Sequence, residues 1–219
     1  MILSIVNIKG GSARTTTAMF LASAYIRLGY EVTVVDTDYQ ESATKWAARV
    51  RDTGQPLLFP VHSCALTTRV LRTEPDKVEE EITRLDAPGA MTILDTTSAT
   101  PEIMPVISKI SDFALVPFAT SPVDYQATLD TLRSLTIAHA VVMTRVDCKK
   151  REEEQMRQRF QEDGVHVLKA TIPYREAYRR VYVPTPRDGL RDHLELAAEI
   201  TPLRKKVNKE TAEQLWERG

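Results

Sequence analysis

The chain has 219 residues, within the range of one α/β domain, and its composition is that of an ordinary globular protein. Lysine and arginine total 29 against 30 aspartates and glutamates, so the formal net charge of −1 excludes a chain that is basic throughout. Any contact with nucleic acid therefore needs a local basic patch. Cys64 and Cys148 belong to no CxxC or Cys/His cluster, which argues against a disulfide framework or a structural zinc site.

The apolar stretch at residues 1–8 is too short for a signal peptide, and no basic segment precedes it. No apolar run approaches the roughly 20 residues that cross a bilayer. The sequence therefore predicts a cytoplasmic location.

Strand-like and helix-like segments alternate, which predicts a doubly wound α/β fold with a mostly parallel sheet and helices on both faces. The predicted strands are 2–8, 31–35, 57–61, 91–94, 113–118, 139–145 and an edge strand at 165–168. The predicted helices are 15–28, 42–50, parts of 67–85, 101–110, 124–135, 149–161, 174–181 and 187–200. We expect a single domain over 1–202 and a charged C-terminal tail over 203–219.

A glycine-containing turn lies between the first predicted strand and the first predicted helix. Glycines let the backbone curl so that several N–H groups point inward, and the following helix adds free N–H groups and its positive dipole end. This is typical of a phosphate site, and the Thr15 hydroxyl is suitably placed to bind Mg²⁺. The loop alone leaves open a plain turn between a strand and a helix. The turn reads Lys9-Gly10-Gly11-Ser12-Ala13-Arg14-Thr15-Thr16.

Three acids come directly after predicted strands and favour the phosphate site over the plain turn. Asp36 and Asp38 follow the second strand, and Asp95 follows the strand at 91–94. Ligands of doubly wound sheets bind outside the carboxyl ends of the strands. We therefore expect the acids and the turn to converge on one edge of the sheet.

With these features the chain resembles the ParA/MinD family of P-loop ATPases with a deviant Walker A motif, and most of all the short ParF-like partition proteins. The most specific matches are residues 9–11, 36–40 and 93–96. The resemblance implies an ATPase that uses Mg²⁺ and forms a nucleotide-sandwich homodimer with ATP. It further implies a role in plasmid or chromosome partition, non-specific DNA binding, association with the nucleoid when ATP is bound, and a centromere-binding, ParB-like adaptor that stimulates turnover.

The resemblance also implies roles for individual residues. Lys9 matches the signature lysine that reaches the phosphates of the partner subunit, and Asp38 matches the acid that positions the attacking water. Thr15 matches the Mg²⁺ ligand, and Asp95 matches the acid that holds Mg²⁺ through water. The implied nucleotide contacts are Lys9, Gly10, Gly11, Ser12, Ala13, Arg14, Thr15, Thr16, Thr144 and Arg145.

The loop departs from the strict P-loop pattern, because Ala13 and Arg14 stand where the pattern has glycine and lysine. Arginine keeps the positive charge but bonds phosphate with a planar fork, so catalysis by Arg14 and Lys9 is expected to be slow. ATP binding is thus better supported than hydrolysis. Alternatives are a switch with little or no hydrolysis, a cargo other than DNA, and a metabolic P-loop enzyme. Lys9 and the absence of a second substrate motif argue against the enzyme.

Two basic clusters are candidates for DNA contact, of which the C-terminal one is preferred. A solvated charged face is the alternative for either cluster. The C-terminal segment lacks a convincing apolar stripe, which argues against membrane anchoring. The candidates are Arg204, Lys205, Lys206 and Lys209, followed by Arg179 and Arg180.

Overall fold

The computed structural model describes residues 1–67, 70, 73, 75–98, 103–147, 151–175 and 190–216, with the backbone alone from 204 onwards. Its strands are β1 (Ile2–Ile5), β2 (Val32–Asp36), β3 (Val61–Ser63), β4 (Met91–Asp95), β5 (Phe113–Ala119), β6 (His139–Val146) and β7 (Val167–Pro173). Its helices are α1 (Arg14–Arg27), α2 (Ser42–Asp52), α3 (Pro75–Arg84), α4 (Met104–Ile110), α5 (Pro122–Arg133), α6 (Glu152–Glu162) and α7 (Leu190–Trp216).

The strands form one seven-stranded parallel sheet in the order β3-β2-β4-β1-β5-β6-β7. The inner strands β1 and β4 are buried along their whole length. Parallel sheets need cover on both faces, which explains the continuous apolar runs at these strands. The predicted doubly wound fold is confirmed, and the chain switches direction across the sheet beside β1.

Residues of β1 alternate between the two faces of the sheet, and each face carries its own hydrophobic packing. Leu3 and Ile5 join a cluster with Phe20 of α1, Trp46 of α2 and Ile200 of α7. On the opposite face, Ile2 packs with residues of α3 and α4, and the residue after β1, Val6, packs with residues of α5 and α6. Helices therefore cover both faces, and the loops at the carboxyl ends of the strands are left for a site.

Several predicted boundaries are wrong. The first strand ends at Ile5, because the chain leaves the sheet before the turn, and the strand predicted at 57–61 lies at Val61–Ser63. The last strand extends to Pro173. The helix predicted at 174–181 falls mostly outside the described residues.

The last helix is longer than predicted. It was expected to end at residue 200, but α7 continues through Pro202 to Trp216. Leu203 packs against the main core, which helps to carry the helix past the proline. The backbone of 203–216 is therefore helical, while the division into a domain and a tail stays a prediction.

Side chains of two helices bond to the backbone of β7. The Arg157 guanidinium donates to the carbonyl oxygens of Leu168 and Lys169 at 2.6 and 3.2 Å. The Glu199 carboxylate accepts hydrogen bonds from the N–H groups of Lys169 and Ala170, both at 2.9 Å. Four backbone groups of residues 168–170, where β7 departs from regular pairing with β6, are thus satisfied by side chains of α6 and α7.

Candidate functional site

The turn between β1 and α1 has a backbone that curls as predicted. Gly11 has φ of 76°, and Ala13 lies in the left-handed region at φ 71° and ψ 26°. The Ala13 carbonyl accepts the hydrogen bond of Thr17 N–H at 2.9 Å and so begins α1. Alanine thus adopts a conformation that normally favours glycine, which costs about 1–2 kcal/mol. The cradle survives the loss of the glycine in the motif, at the expense of local strain.

Asn7 fixes the backbone that enters the turn. Its side chain donates to the carbonyl of Pro117 at 2.9 Å and accepts from Lys9 N–H at 2.8 Å. The next amide, that of Ile8, donates to the Thr131 hydroxyl on α5 at 3.1 Å. Asn7 is 1% exposed, so this amide side chain is a buried structural element of the loop.

The Arg14 guanidinium folds back into the loop. It donates to the carbonyls of Asn7 and Lys9, both at 2.7 Å, through one terminal nitrogen. Its Nε donates to the Thr96 carbonyl and its other terminal nitrogen to the Ser98 hydroxyl, both at 2.9 Å. Burial lowers the pKa of Arg14, and the nearby Asp95 and Asp38 oppose this shift. A direct contact of Arg14 with phosphate stays a prediction.

Asp95, at the end of β4, is a buried acid beside the first turn of α1. Neither of its carboxylate oxygens has a hydrogen bond of good geometry among the described residues, and the Thr15 hydroxyl is close enough to interact with the carboxylate only weakly. Burial raises its pKa to about 7; the Thr15 hydroxyl and Arg14 lower the pKa, and Asp36 and Asp38 raise it. An unpartnered buried carboxylate near a hydroxyl is chemically suited to a hard cation such as Mg²⁺.

The described ranges contain no group of three or more His, Cys, Asp or Glu side chains arranged to hold a metal ion. This is compatible with Mg²⁺, which commonly takes one or two protein ligands and completes its shell with phosphate and water. Thr15 and Asp95 are the residues that would hold it.

The two acids after β2 have different environments. Asp36 is buried and accepts hydrogen bonds from the N–H groups of Asp38 and Thr44 at 3.2 and 2.8 Å, so it fixes the start of α2. Burial raises the pKa of Asp36. Asp38 is half-buried and accepts from Gln40 N–H at 2.9 Å, which leaves its side chain at the site opening.

Lys9 lies at the rim of the loop with its side chain 46% exposed, and its Nζ is 3.7 Å from Asp124 Oδ1 at the start of α5. Val123, beside Asp124, is 82% exposed, and Tyr39, beside Asp38, is 66% exposed. Two large exposed side chains therefore lie next in sequence to acids of this region, Asp38 and Asp124.

A cavity of about 330 Å³ opens beside the start of α1. Thr144 and Arg145, predicted to contact the nucleotide, line it together with Ala13 and Thr16 of the loop. The Thr144 hydroxyl is buried and has no hydrogen-bond partner among the described residues. The other lining residues are Thr17, Ile172, Pro173, Tyr174 and Arg175.

The structure thus brings the loop, Thr15, Asp38, Asp95 and the Thr144–Arg145 pair to one edge of the sheet. Of the candidates for DNA contact, Arg179 and Arg180 lie outside the described residues. Only the backbone of α7 is described at the remaining candidates, Arg204, Lys205, Lys206 and Lys209.

Sequence reasoning missed three parts of the site. Asn7 was assigned to a strand, although a polar residue at the end of an apolar run is the same signal that identified Asp36 and Asp95. The Pro173–Tyr174 segment follows β7 at the same edge of the sheet. Ser98 carried no recognisable signal, because its contact with Arg14 joins residues 84 positions apart.

No helix in the described part of the chain has both the length and the apolar character needed to span a membrane.

Comparison with known proteins agrees with the fold. A 24% identical relative, Protein ParA of Rhizobium radiobacter, aligns over 83% of this chain and 82% of its own length. The maintenance of carboxysome distribution protein A of Gloeobacter kilaueensis is 27% identical over 82% of this chain and 79% of its own. The structure of cobyrinic acid a,c-diamide synthase from Mycobacterium smegmatis, with bound ATP analog and magnesium, superimposes with a TM-score of 0.74 at 15% identity, covering 93% and 95% of the chains.

The family model of the CobQ/CobB/MinD/ParA nucleotide binding domain matches residues 3–183, which include the loop, all three acids and the cavity. The chain belongs to the CobQ/CobB/MinD/ParA nucleotide-binding domain family.

Proposed function

We propose that this protein binds ATP with Mg²⁺ at the loop of residues 9–16, dimerises across the nucleotide, and positions DNA such as a plasmid or chromosome. The observation that carries the proposal is the Asp95 carboxylate, buried without a hydrogen-bond partner among the described residues, beside Thr15 at the mouth of a backbone cradle. Such a group is costly to bury as an anion, and a bound cation would offset that cost.

The phosphates would lie against the N–H groups of the turn and the first turn of α1, where the helix dipole favours negative charge. The cavity lined by Thr144 and Arg145 has the size and the partly apolar lining suited to a nucleoside base. Bound Mg²⁺ would neutralise phosphate charge, with Thr15 as ligand and Asp95 holding it through water.

Hydrolysis would depend on residues at the opening of the loop. Asp38 is half-buried there, and its carboxylate can orient a water molecule towards the loop. Lys9 is exposed enough to reach the phosphates of a second subunit, and the exposed Val123 and Tyr39 provide apolar surface. This supports a sandwich homodimer in which Lys9 supplies positive charge during phosphoryl transfer.

The resemblance to partition ATPases favours DNA as cargo, and the name of the carboxysome distribution relative indicates a second class of cargo, the carboxysome. We place DNA first, with a ParB-like adaptor to stimulate turnover and association with the nucleoid in the ATP-bound state. Positioning of a non-DNA cargo is the second candidate. A switch with little hydrolysis is the third, and the hydrogen bonds of Arg14 to protein acceptors support it.

The test measures molecular mass by light scattering in Mg²⁺ with ADP, with ATP, and with EDTA. We expect a monomer with ADP, a dimer with ATP, and loss of the dimer in EDTA. Asp95→Asn should lose the Mg²⁺ dependence of binding, while Asp130→Asn, at an exposed carboxylate on α5, should behave as wild type. A monomer under all conditions would refute the sandwich dimer.

A further inference from the structure

Arg14 joins two parts of the site that are distant in sequence. On one side its acceptors are the carbonyls of Asn7 and Lys9, in the loop. On the other side they are the Thr96 carbonyl and the Ser98 hydroxyl, in the segment after β4. Two hydrogen bonds of 2.9 Å thus connect Arg14 to the residues that follow Asp95, and two of 2.7 Å hold the same guanidinium against the loop and the residue that enters it.

We propose that Arg14 is a positioning residue that ties the phosphate loop to residues 96–98, so that nucleotide in the loop alters the segment after β4. The tie exists without nucleotide. Its response to nucleotide rests on the proposed ATP binding.

The guanidinium is suited to this task in a way that an ammonium group is not. Its N–H donors are distributed over three nitrogens of a planar group. All three nitrogens donate here: Nε to the Thr96 carbonyl, one terminal nitrogen to the Asn7 carbonyl, and the other to the Ser98 hydroxyl. A lysine would offer three N–H groups on a single nitrogen. Arg14→Lys therefore keeps the charge but gives up part of the connection.

Burial and charge support the same role. Arg14 is 8% exposed, and its hydrogen bonds to the Thr96 and Asn7 carbonyls are buried and so shielded from competing water. Asp95 and Asp38 are close enough to affect its pKa, so the positive charge also offsets two acids of the site. The guanidinium therefore still stabilises the two carboxylates electrostatically while its N–H groups bond to protein acceptors.

The first experiment measures the tie without nucleotide, by thermal unfolding of Arg14→Lys, Ser98→Ala and the double variant. We expect Ser98→Ala alone to lower Tm by about 1–3 °C, because the lost hydrogen bond involves the hydroxyl of an exposed residue and is weakened by water. In the Arg14→Lys background the same change should have little further effect, because the bond is already lost. If the Tm shifts of the two single variants simply add in the double variant, Arg14 and Ser98 are not coupled and the proposal is overturned.

Ser134→Ala is the matched control. Its hydroxyl also makes hydrogen bonds, to the carbonyls of Asp130 and Thr131 at 2.6 and 3.0 Å, but at the far end of α5. Its effect on Tm should be the same in the wild-type and Arg14→Lys backgrounds. If Arg14→Lys does not fold, the experiment on Ser98→Ala below still tests the proposal.

The second experiment follows amide hydrogen exchange with ADP in EDTA, so that no cation at Asp95 connects the two segments. In the wild type, ADP should slow exchange about threefold or more both in the loop and at residues 96–98. In Ser98→Ala the loop should still be protected, while protection at 96–98 should be mostly lost. A merely structural role of Arg14 would leave this protection unchanged.

The outcomes separate the two proposals. Protection of the loop with unchanged protection at 96–98 in Ser98→Ala would overturn the role of Arg14. Absence of protection in the wild-type loop, with Mg²⁺ as well as in EDTA, would instead contradict the proposed nucleotide binding. In that case the thermal cycle still decides whether the tie exists.

Discussion

Asp95 combines complete burial with a carboxylate that lacks a hydrogen-bond partner among the described residues. A carboxyl group in this state favours its protonated form, since burial penalises the charge. When no cation is bound, the ionised Asp95 destabilises the folded protein. The free energy of unfolding therefore depends on pH.

We predict that stability falls as pH rises from about 4 to about 7 in EDTA. Burial raises the folded-state pKa of Asp95 to about 7, above its ordinary value of 3.8, so the folded protein binds a proton that the unfolded chain has released. The stabilisation that comes from protonated Asp95 is complete below the ordinary pKa of 3.8. It is lost as pH rises to the folded-state pKa of about 7, at up to about 1.4 kcal/mol per pH unit.

Urea unfolding at pH 5 and pH 7.5 checks this prediction. Asp95→Asn should flatten the dependence, because asparagine does not ionise. Asp130→Asn, at an exposed carboxylate, should leave it unchanged. A wild-type stability that rises over this interval would contradict the prediction.

Ala13 offers a second prediction. Its φ of 71° is unfavourable for alanine, so Ala13→Gly should raise the free energy of unfolding by about 0.5–1 kcal/mol after the added entropy of the unfolded chain is subtracted. The same substitution at Ala48, exposed in the right-handed helix α2, should lower it by about 1 kcal/mol. Equal effects at the two positions would show that the left-handed conformation carries no strain.

Among the elements, α5 contacts the entry to the phosphate loop at three places. Its Thr131 hydroxyl accepts from Ile8 N–H, its Thr128 hydroxyl accepts from the Asn7 side chain, and its first turn supplies Asp124 to the Lys9 ammonium. Any displacement of α5 would therefore move Lys9, which connects this helix to dimer formation in the proposed function.

Thr131→Val should weaken both stability and nucleotide binding. It removes the hydroxyl that accepts from Ile8 N–H at 3.1 Å and leaves that amide unsatisfied, at a cost of about 1–3 kcal/mol. Urea unfolding and ADP titration measure the two effects. Thr201→Val on α7 removes only a bond to a carbonyl of its own helix and should change each by much less. Equal losses in both variants would contradict the special role of Thr131.

At this scale the sequence predicted the order and types of most elements well. The apolar runs of β1, β4 and β5 and the acids that follow β2 and β4 carry local, periodic signals. Local signals failed where tertiary packing decides the outcome: α7 extends past Pro202 beside a core residue, Leu203. The same holds for the candidate site. The position of the loop could be predicted from local sequence, whereas the direction of the Arg14 side chain depends on contacts with the distant residues 96–98.

For the whole molecule, a net charge of −1 means that DNA binding must come from a local patch. We predict that changing Arg204, Lys205, Lys206 and Lys209 to glutamine weakens ATP-dependent DNA binding. Each lost phosphate contact should make the slope of log K against log salt less negative by about 0.9. Fluorescence anisotropy over a salt series measures both effects. Arg133→Gln, an exposed residue on α5, serves as control, and an unchanged slope in the quadruple variant would exclude the C-terminal cluster.

The edges of the sheet have a consequence for association between copies of this protein. Arg157 and Glu199 bond to backbone groups of residues 168–170, where β7 departs from regular pairing, and the opposite edge, β3, is only three residues long. Irregular and short edge strands are poor templates for an incoming strand. Fibril-like growth by addition of strands is therefore discouraged at both ends of the sheet.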